Sequence, residues 1–193
     1  FVGNYIMDAF TTEIGGEVYW FATNHVMFMA GLTNGLIKGD VLSPDEGKKR
    51  SPSIYLKAAY DKEYNDDVRG RLSVSFVHNA NSIRNTLYGG DRTGSRFYGV
   101  LEEEGASLVA RPTSGRWNPG FTNQLTAIQI NPFVKYKGLE VFGVVELASG
   151  NNMVMNGDGV YEFADSTKRS VMQYGGEVIY RFLENEQLFV GAK

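Results

Sequence analysis

The 193-residue sequence predicts an all-β fold, an antiparallel up-and-down meander forming part of a transmembrane β-barrel. Three observations carry that expectation. Apolar and polar residues alternate in runs from one end of the chain to the other, and helical periodicity is scarce. The runs come in pairs joined by short turns, while the segments between pairs are long and polar. In the five clearest runs, one of the two sets of alternate positions carries no charge.

Successive strand residues point to opposite faces, so each run divides into two lists. The first pair, "GEVYWFATNHVMFMAGLTNG", breaks at Thr23 and Asn24 and places Val18, Trp20, Phe28, Ala30 and Leu32 on apolar faces. The second spans Pro52 to Asn79. Ile54, Leu56, Ala58 and Tyr60 oppose Tyr55, Lys57, Ala59 and Asp61; Val68, Gly70, Leu72, Val74 and Phe76 oppose Arg69, Arg71, Ser73, Ser75 and Val77. Between them "KEYNDDV" supplies Asn and Asp residues that tolerate turn geometry and hydrogen-bond their own backbone.

The third pair, "NQLTAIQINPFVKYKGLEVFGVVELASG", turns about Lys137 and Gly138. Thr126, Ile128, Ile130, Val134 and Tyr136, then Leu139, Val141, Gly143, Val145 and Leu147, oppose Gln129, Asn131, Lys135, Glu140 and Glu146. Pro132 falls on the apolar list; lacking an N–H, it calls for a bulge or an edge there. The fourth pair, "RSVMQYGGEVIYRFLENEQLFVGAK", sets Met172, Tyr174, Val178, Tyr180 and Phe182 against Gln173, Glu177 and Arg181 and turns near Asn185. Residues 79–122 are expected either as a long loop that folds back over the mouth as a constriction, or as one more short hairpin in the wall, built from Ser95 to Glu102 and Ala106 to Arg111.

Short turns on one side and long loops on the other are the pattern of a membrane barrel. Several runs reach the roughly 9 to 11 residues that a tilted strand needs to cross the hydrocarbon layer. The positions expected to face lipid are Ile54, Leu56, Leu72, Val74, Phe76, Ile128, Ile130, Val134, Val141, Val145 and Val178. Tyr60, Tyr136, Tyr180 and Phe182 near the short turns, with Tyr174 and Phe76 towards the long loops, would form two interfacial aromatic girdles. Lys57, Asp61, Arg69, Arg71, Lys135, Glu140, Glu146, Glu177 and Arg181 would line the lumen. Their mixed signs predict weak ion selectivity. Arg69 and Arg71 share a face and either hold an anionic solute or pair with neighbouring carboxylates across the wall. The competing fold is a soluble antiparallel sandwich or calyx, which accounts less well for strand length and loop segregation together.

A net charge of −3 and a pI near 5.5 lack the basic footprint of a nucleic-acid partner. The chain has no cysteine, hence no disulfide framework or thiol chemistry. A mean hydropathy of −0.25 does not oppose a barrel, whose strands are only half apolar. The first residue is Phe1 with no charged leader after it, and the alternation is still running at Lys193, so a portion of a longer chain is expected.

No motif calls for a cofactor or a metal. "YGGDRTGSRFYG" lacks phosphate-loop spacing. "NGDGVYEFAD" brings Asp158, Glu162 and Asp165 near one another without EF-hand spacing. His25 and His78 stand at strand ends, and no nucleophile elbow is evident.

The stretches "AGLTNGLIKGD", "NTLYGGDRTGSRFYG", "NPFVKYKGLEVFG" and "QYGGEVIYRF" resemble the porin-like barrels of Gram-negative outer membranes, most closely those of the Bacteroidota. The resemblance spans most of the chain and is architectural rather than catalytic. It implies an outer-membrane location, membrane lipid as a partner, and a water-filled pore for small hydrophilic solutes or ions, in an oligomer. A non-conducting barrel serving as a binding or scaffold component of an envelope or secretion complex is the second expectation, and a barrel hydrolase the third.

Overall fold

A computed structural model describes residues 13–35, 50–82, 87, 104–105, 119–120, 123–183 and 186–193. Four hairpins follow one another: β1 (Gly15–Thr23) with β2 (Val26–Thr33), β3 (Ser53–Asn65) with β4 (Val68–Asn79), β5 (Gln124–Tyr136) with β6 (Leu139–Asn151), and β9 (Arg169–Phe182) with β10 (Leu188–Ala192). They form one eight-stranded antiparallel meander in the order β1-β2-β3-β4-β5-β6-β9-β10. The sheet is open, with β1 and β10 as its two edges.

Between β6 and β9 lie a short pair absent from the sequence expectation, β7 (Met153–Met155) and β8 (Tyr161–Phe163), and a 3-10 turn at Asp165–Thr167. The Asn156 side-chain oxygen accepts from the amides of Asp158 and Val160 and so closes the β7–β8 turn. No α-helix occurs among the described residues.

Local chemistry explains the tight turns. Thr23 Oγ1 accepts from the amides of His25 and Val26, and Asn65 Oδ1 from that of Asp67, so a hydroxyl and a side-chain amide complete the first two turns. Each of these turns follows a register shift, at Phe21/Thr23 and at Glu63/Asn65. In the third turn Lys137 takes a φ of 51°. A Cβ on Gly138 would stand 2.3 Å from the Arg181 carbonyl oxygen, which only glycine avoids.

Pro132 stands inside β5, between β4 and β6, rather than at an edge. Its ladder to β6 lapses between the pairs Ile130–Val145 and Phe133–Phe142 and resumes in unchanged register. The opposing Gly143 makes room for the ring, since a Cβ there would lie 3.0 Å from Pro132 Cγ. A missing side chain thus accommodates the missing donor.

The registers keep the two alternating lists on opposite sides of the sheet. Rows such as Ala30–Leu56–Phe76–Ile128–Leu147–Met172 and Phe28–Ala58–Val74–Ile130–Val145–Tyr174 run across six strands on one face. Leu188, Val190 and Ala192 of β10 continue that face beside Phe182, Tyr180 and Val178. We call it the outward face and the other the inward face. The small buried core sits on the inward face at the long-loop end. There Val77, Ala127 and Ala148 form a row, Leu125 lies beside them, and Tyr55, Val171 and Leu87 pack around them.

Candidate pore-lining face

All nine residues expected to line a lumen lie on the inward face: the register aligns Lys57 with Ser75, Gln129 and Glu146, aligns Asp61 with Arg71, Phe133, Phe142 and Glu177, and aligns Arg69 with Lys135 and Glu140. Arg181 belongs with them, its partner in β10 being Phe189. Three zones follow one another along the strands.

At the turn end the charges are paired. Arg69 donates from Nε and Nη2 to the two oxygens of Asp61 at 2.9 and 2.8 Å, a bidentate geometry suited to carboxylate recognition, and Glu63 lies 3.5 Å from Nη1. Lys135, Glu140, Arg181 and Glu186 form a second cluster. Lys135 Nζ is 2.9 Å from Glu186 and 3.7 Å from Glu140, and Arg181 Nε is 3.1 Å from Glu140 and 3.6 Å from Glu186. Arg69 therefore takes the paired alternative that the sequence left open.

The middle zone is an open trough of about 810 Å³ running from β1 to β6. Lys57, Asp61 and Arg71 bring charge to it, and Ser73, Ser75 and Asn131 bring neutral polar groups. The Arg71 guanidinium lies over the Phe133 ring, 5.1 Å from its centroid. His25, in the first turn, contacts the Asp61 carbonyl through Nδ1 at 3.2 Å.

At the long-loop end the inward face is packed. Glu146, on β6 in the row of Lys57, is 1% exposed and does not line the trough. Glu13 accepts from Thr33 Oγ1 at 2.6 Å, Tyr55 OH at 2.7 Å and Ser53 Oγ at 3.0 Å, tying the segment before β1 to β2 and β3. Asn79 Nδ2 donates to Ser53 Oγ and to the Ser51 carbonyl, and Asn123 Nδ2 to the Ser82 carbonyl. Leu87, from the connection after β4, lies against this end; the rest of the expected constriction, including "YGGDRTGSRFYG" and the two short strands of residues 95–111, lies largely outside the described residues.

The outward face carries no charge on any row from Leu32–Ile54–His78–Thr126 to Val26–Tyr60–Leu72–Pro132. Lys62 is the first outward cation, near the turn end, with Nζ 5.3 Å from the Tyr64 ring centroid. Tyr60 and Tyr64 hydroxyls lie 3.3 Å apart, Trp20 stacks on Phe28 at 5.5 Å, and Tyr180 meets Phe182 edge-on at 4.7 Å. His78 contacts Thr126 Oγ1 on this face, and among the described residues no cluster of His, Cys, Asp and Glu forms a metal site.

Four features of the site escaped the sequence reading. Phe133 and Phe142 share the inward parity of the charged list but are apolar, so a search for charge passed over them. Tyr64 and Glu186 sit where a turn was expected, although strand parity extended four residues past Tyr60 would have set Tyr64 on the same face. Comparison with protein-family models, curated proteins and solved structures finds no match to this chain.

Proposed function

We propose that the protein is an outer-membrane porin, a passive channel for small hydrophilic solutes or ions, with the eight described strands forming part of a larger barrel wall. One observation carries this reading: the uncharged outward face stays bare. Leu72 is 47% exposed and Ile128 37%, and Leu56, Val134, Val141, Val145 and Val178 are exposed with them. A contiguous apolar surface across a whole sheet exceeds what soluble monomers leave uncovered, and hydrocarbon is the cover that an up-and-down barrel meets.

Two further features support the reading. Strands β3 to β6 and β9 run 12 to 14 residues, enough at about 3.3 Å per residue and a 45° tilt to cross a layer about 30 Å thick. The first turn is also staggered against the second. It lies opposite Asp61 while β3 runs on to Asn65, whereas the second and third are level, Lys137 N–H donating to the Asp67 carbonyl. Strand tilt and register stagger are what a closing barrel requires. Within hydrocarbon the free edges of β1 and β10 must be paired, and in the larger barrel that we propose further antiparallel strands do so.

The lumen then works by geometry and field rather than by bond chemistry. The test is reconstitution into planar bilayers, with discrete conductance steps expected. The packed long-loop end favours a second reading, a plugged barrel with a scaffold role. Protein that inserts and resists protease without conducting would decide for the plug.

A further inference from the structure

Resting on the porin reading, we propose that the inward trough is a binding subsite for small oxyanions, with Lys57 and Arg71 as the charges that meet the solute. The argument is an inventory of which charges are already spent. Asp61 is the carboxylate lining the trough, and Arg69 occupies both of its oxygens. Among the described residues Lys57 and Arg71 enter no ion pair, whereas Lys135 and Arg181 are held between Glu140 and Glu186. The trough therefore presents two cations outside any close ion pair, Arg71 standing opposite an Asp61 already held by Arg69, in a chain whose net charge is negative.

Geometry sets both cations along one trough. Lys57 in β3 and Arg71 in β4 lie on the inward face of adjacent strands, in the rows of Ser75 and Asp61. Ser75 faces Lys57, Ser73 stands between Ser75 and Arg71 along β4, and Asn131 lies beside Ser73 on β5, all lining the trough. Phe133 supports the flat of the Arg71 guanidinium, which leaves its N–H edge for a planar or tetrahedral oxyanion. A volume of about 810 Å³ admits a small organic acid or a phosphate with its water.

The nearest competing negative charge is Asp61, which faces Arg71 directly, and Arg69 already holds both of its oxygens. Glu146 is buried, and Glu17 accepts from Tyr19 OH at 2.7 Å. Glu177 shares the row of Arg71 but lies three strands away, about 14 Å at ordinary strand spacing, beyond Phe133 and Phe142. That exceeds a Debye length of about 8 Å at physiological salt.

The test compares wild type with the double variant Lys57→Gln/Arg71→Gln and with Lys137→Gln, which removes a turn cation away from the trough. Reversal potentials across a potassium chloride gradient give the anion-to-cation permeability ratio. The double variant should lower it about two- to fivefold, the effect of removing close unit charges in a wet site, and Lys137→Gln should leave it near wild type. In parallel, equilibrium dialysis of the detergent-solubilised protein against inorganic phosphate should show binding that the double variant loses. A conducting pore whose ratio and phosphate binding ignore both substitutions overturns the subsite and leaves the pore standing. A protein that binds phosphate through Lys57 and Arg71 yet never conducts overturns the pore and leaves the subsite.

Discussion

The two ends of the inward face share one alternation and finish in opposite surroundings. At the long-loop end Val77, Leu125, Ala127 and Ala148 are buried, and Ser53, Asn79 and Asn123 spend their polar atoms on one another and on nearby backbone. At the turn end Asp61, Arg69, Lys135, Glu140 and Arg181 pair across adjacent strands while remaining partly exposed. Strand parity decides which way a side chain points; it does not decide what stands in front of it.

The strongest way to break this contrast is at the dry end. Leu125 is 1% exposed, so Leu125→Ala removes buried methyls and leaves a cavity, at an expected cost of about 2 to 5 kcal/mol. Ser73→Ala, on the same face in the open trough, should change stability by no more than about 0.5 kcal/mol. Urea unfolding of vesicle-inserted protein measures both, and equal losses would show that the inward face is not zoned.

Much of this was legible in the sequence because the relevant signal has a period of two. The four main hairpins, their turns and the membership of each face all follow from alternation, and the registers agree for every position from Ile54 to Phe182 that the sequence assigned. The depth of Glu146 was not legible: its parity is that of Lys135 and Glu140, yet it is buried while they remain partly exposed. Nor were the ion pairs, since Asp61 meets Arg69 on a diagonal while facing Arg71 directly. The β7–β8 hairpin is too short for alternation to register.

The next contrast is between faces. Val74→Arg places a cation on the middle of the outward face and should cost about 2 to 4 kcal/mol, whereas Ser73→Arg adds the same group to the trough and should be tolerated. The heat-modifiable gel shift of folded barrel, scored after refolding into vesicles, separates them. Equal yields would contradict hydrocarbon on the outward side.

A smaller effect belongs to the gap in the ladder. Gly143→Val presses a branched side chain onto Pro132 and should cost about 1 to 3 kcal/mol through overpacking. Pro132→Ala in the same chain should recover part of that loss, because it removes the ring and restores a ladder donor. Additive losses in the double variant would mean that the two residues are not a coupled pair.

The smallest effect is expected where the ionic contacts are most numerous. Asp61→Asn breaks the bidentate pair with Arg69, but both side chains are more than a third exposed, so water already screens most of the attraction. The expected loss is about 0.2 to 1 kcal/mol, and it should fade at 1 M salt, where the Debye length is about 3 Å. Stability is again read from urea unfolding at the two salt concentrations. A loss several times larger, or one indifferent to salt, would mean that the turn end is as dry as the loop end, and the contrast along the inward face would be gone.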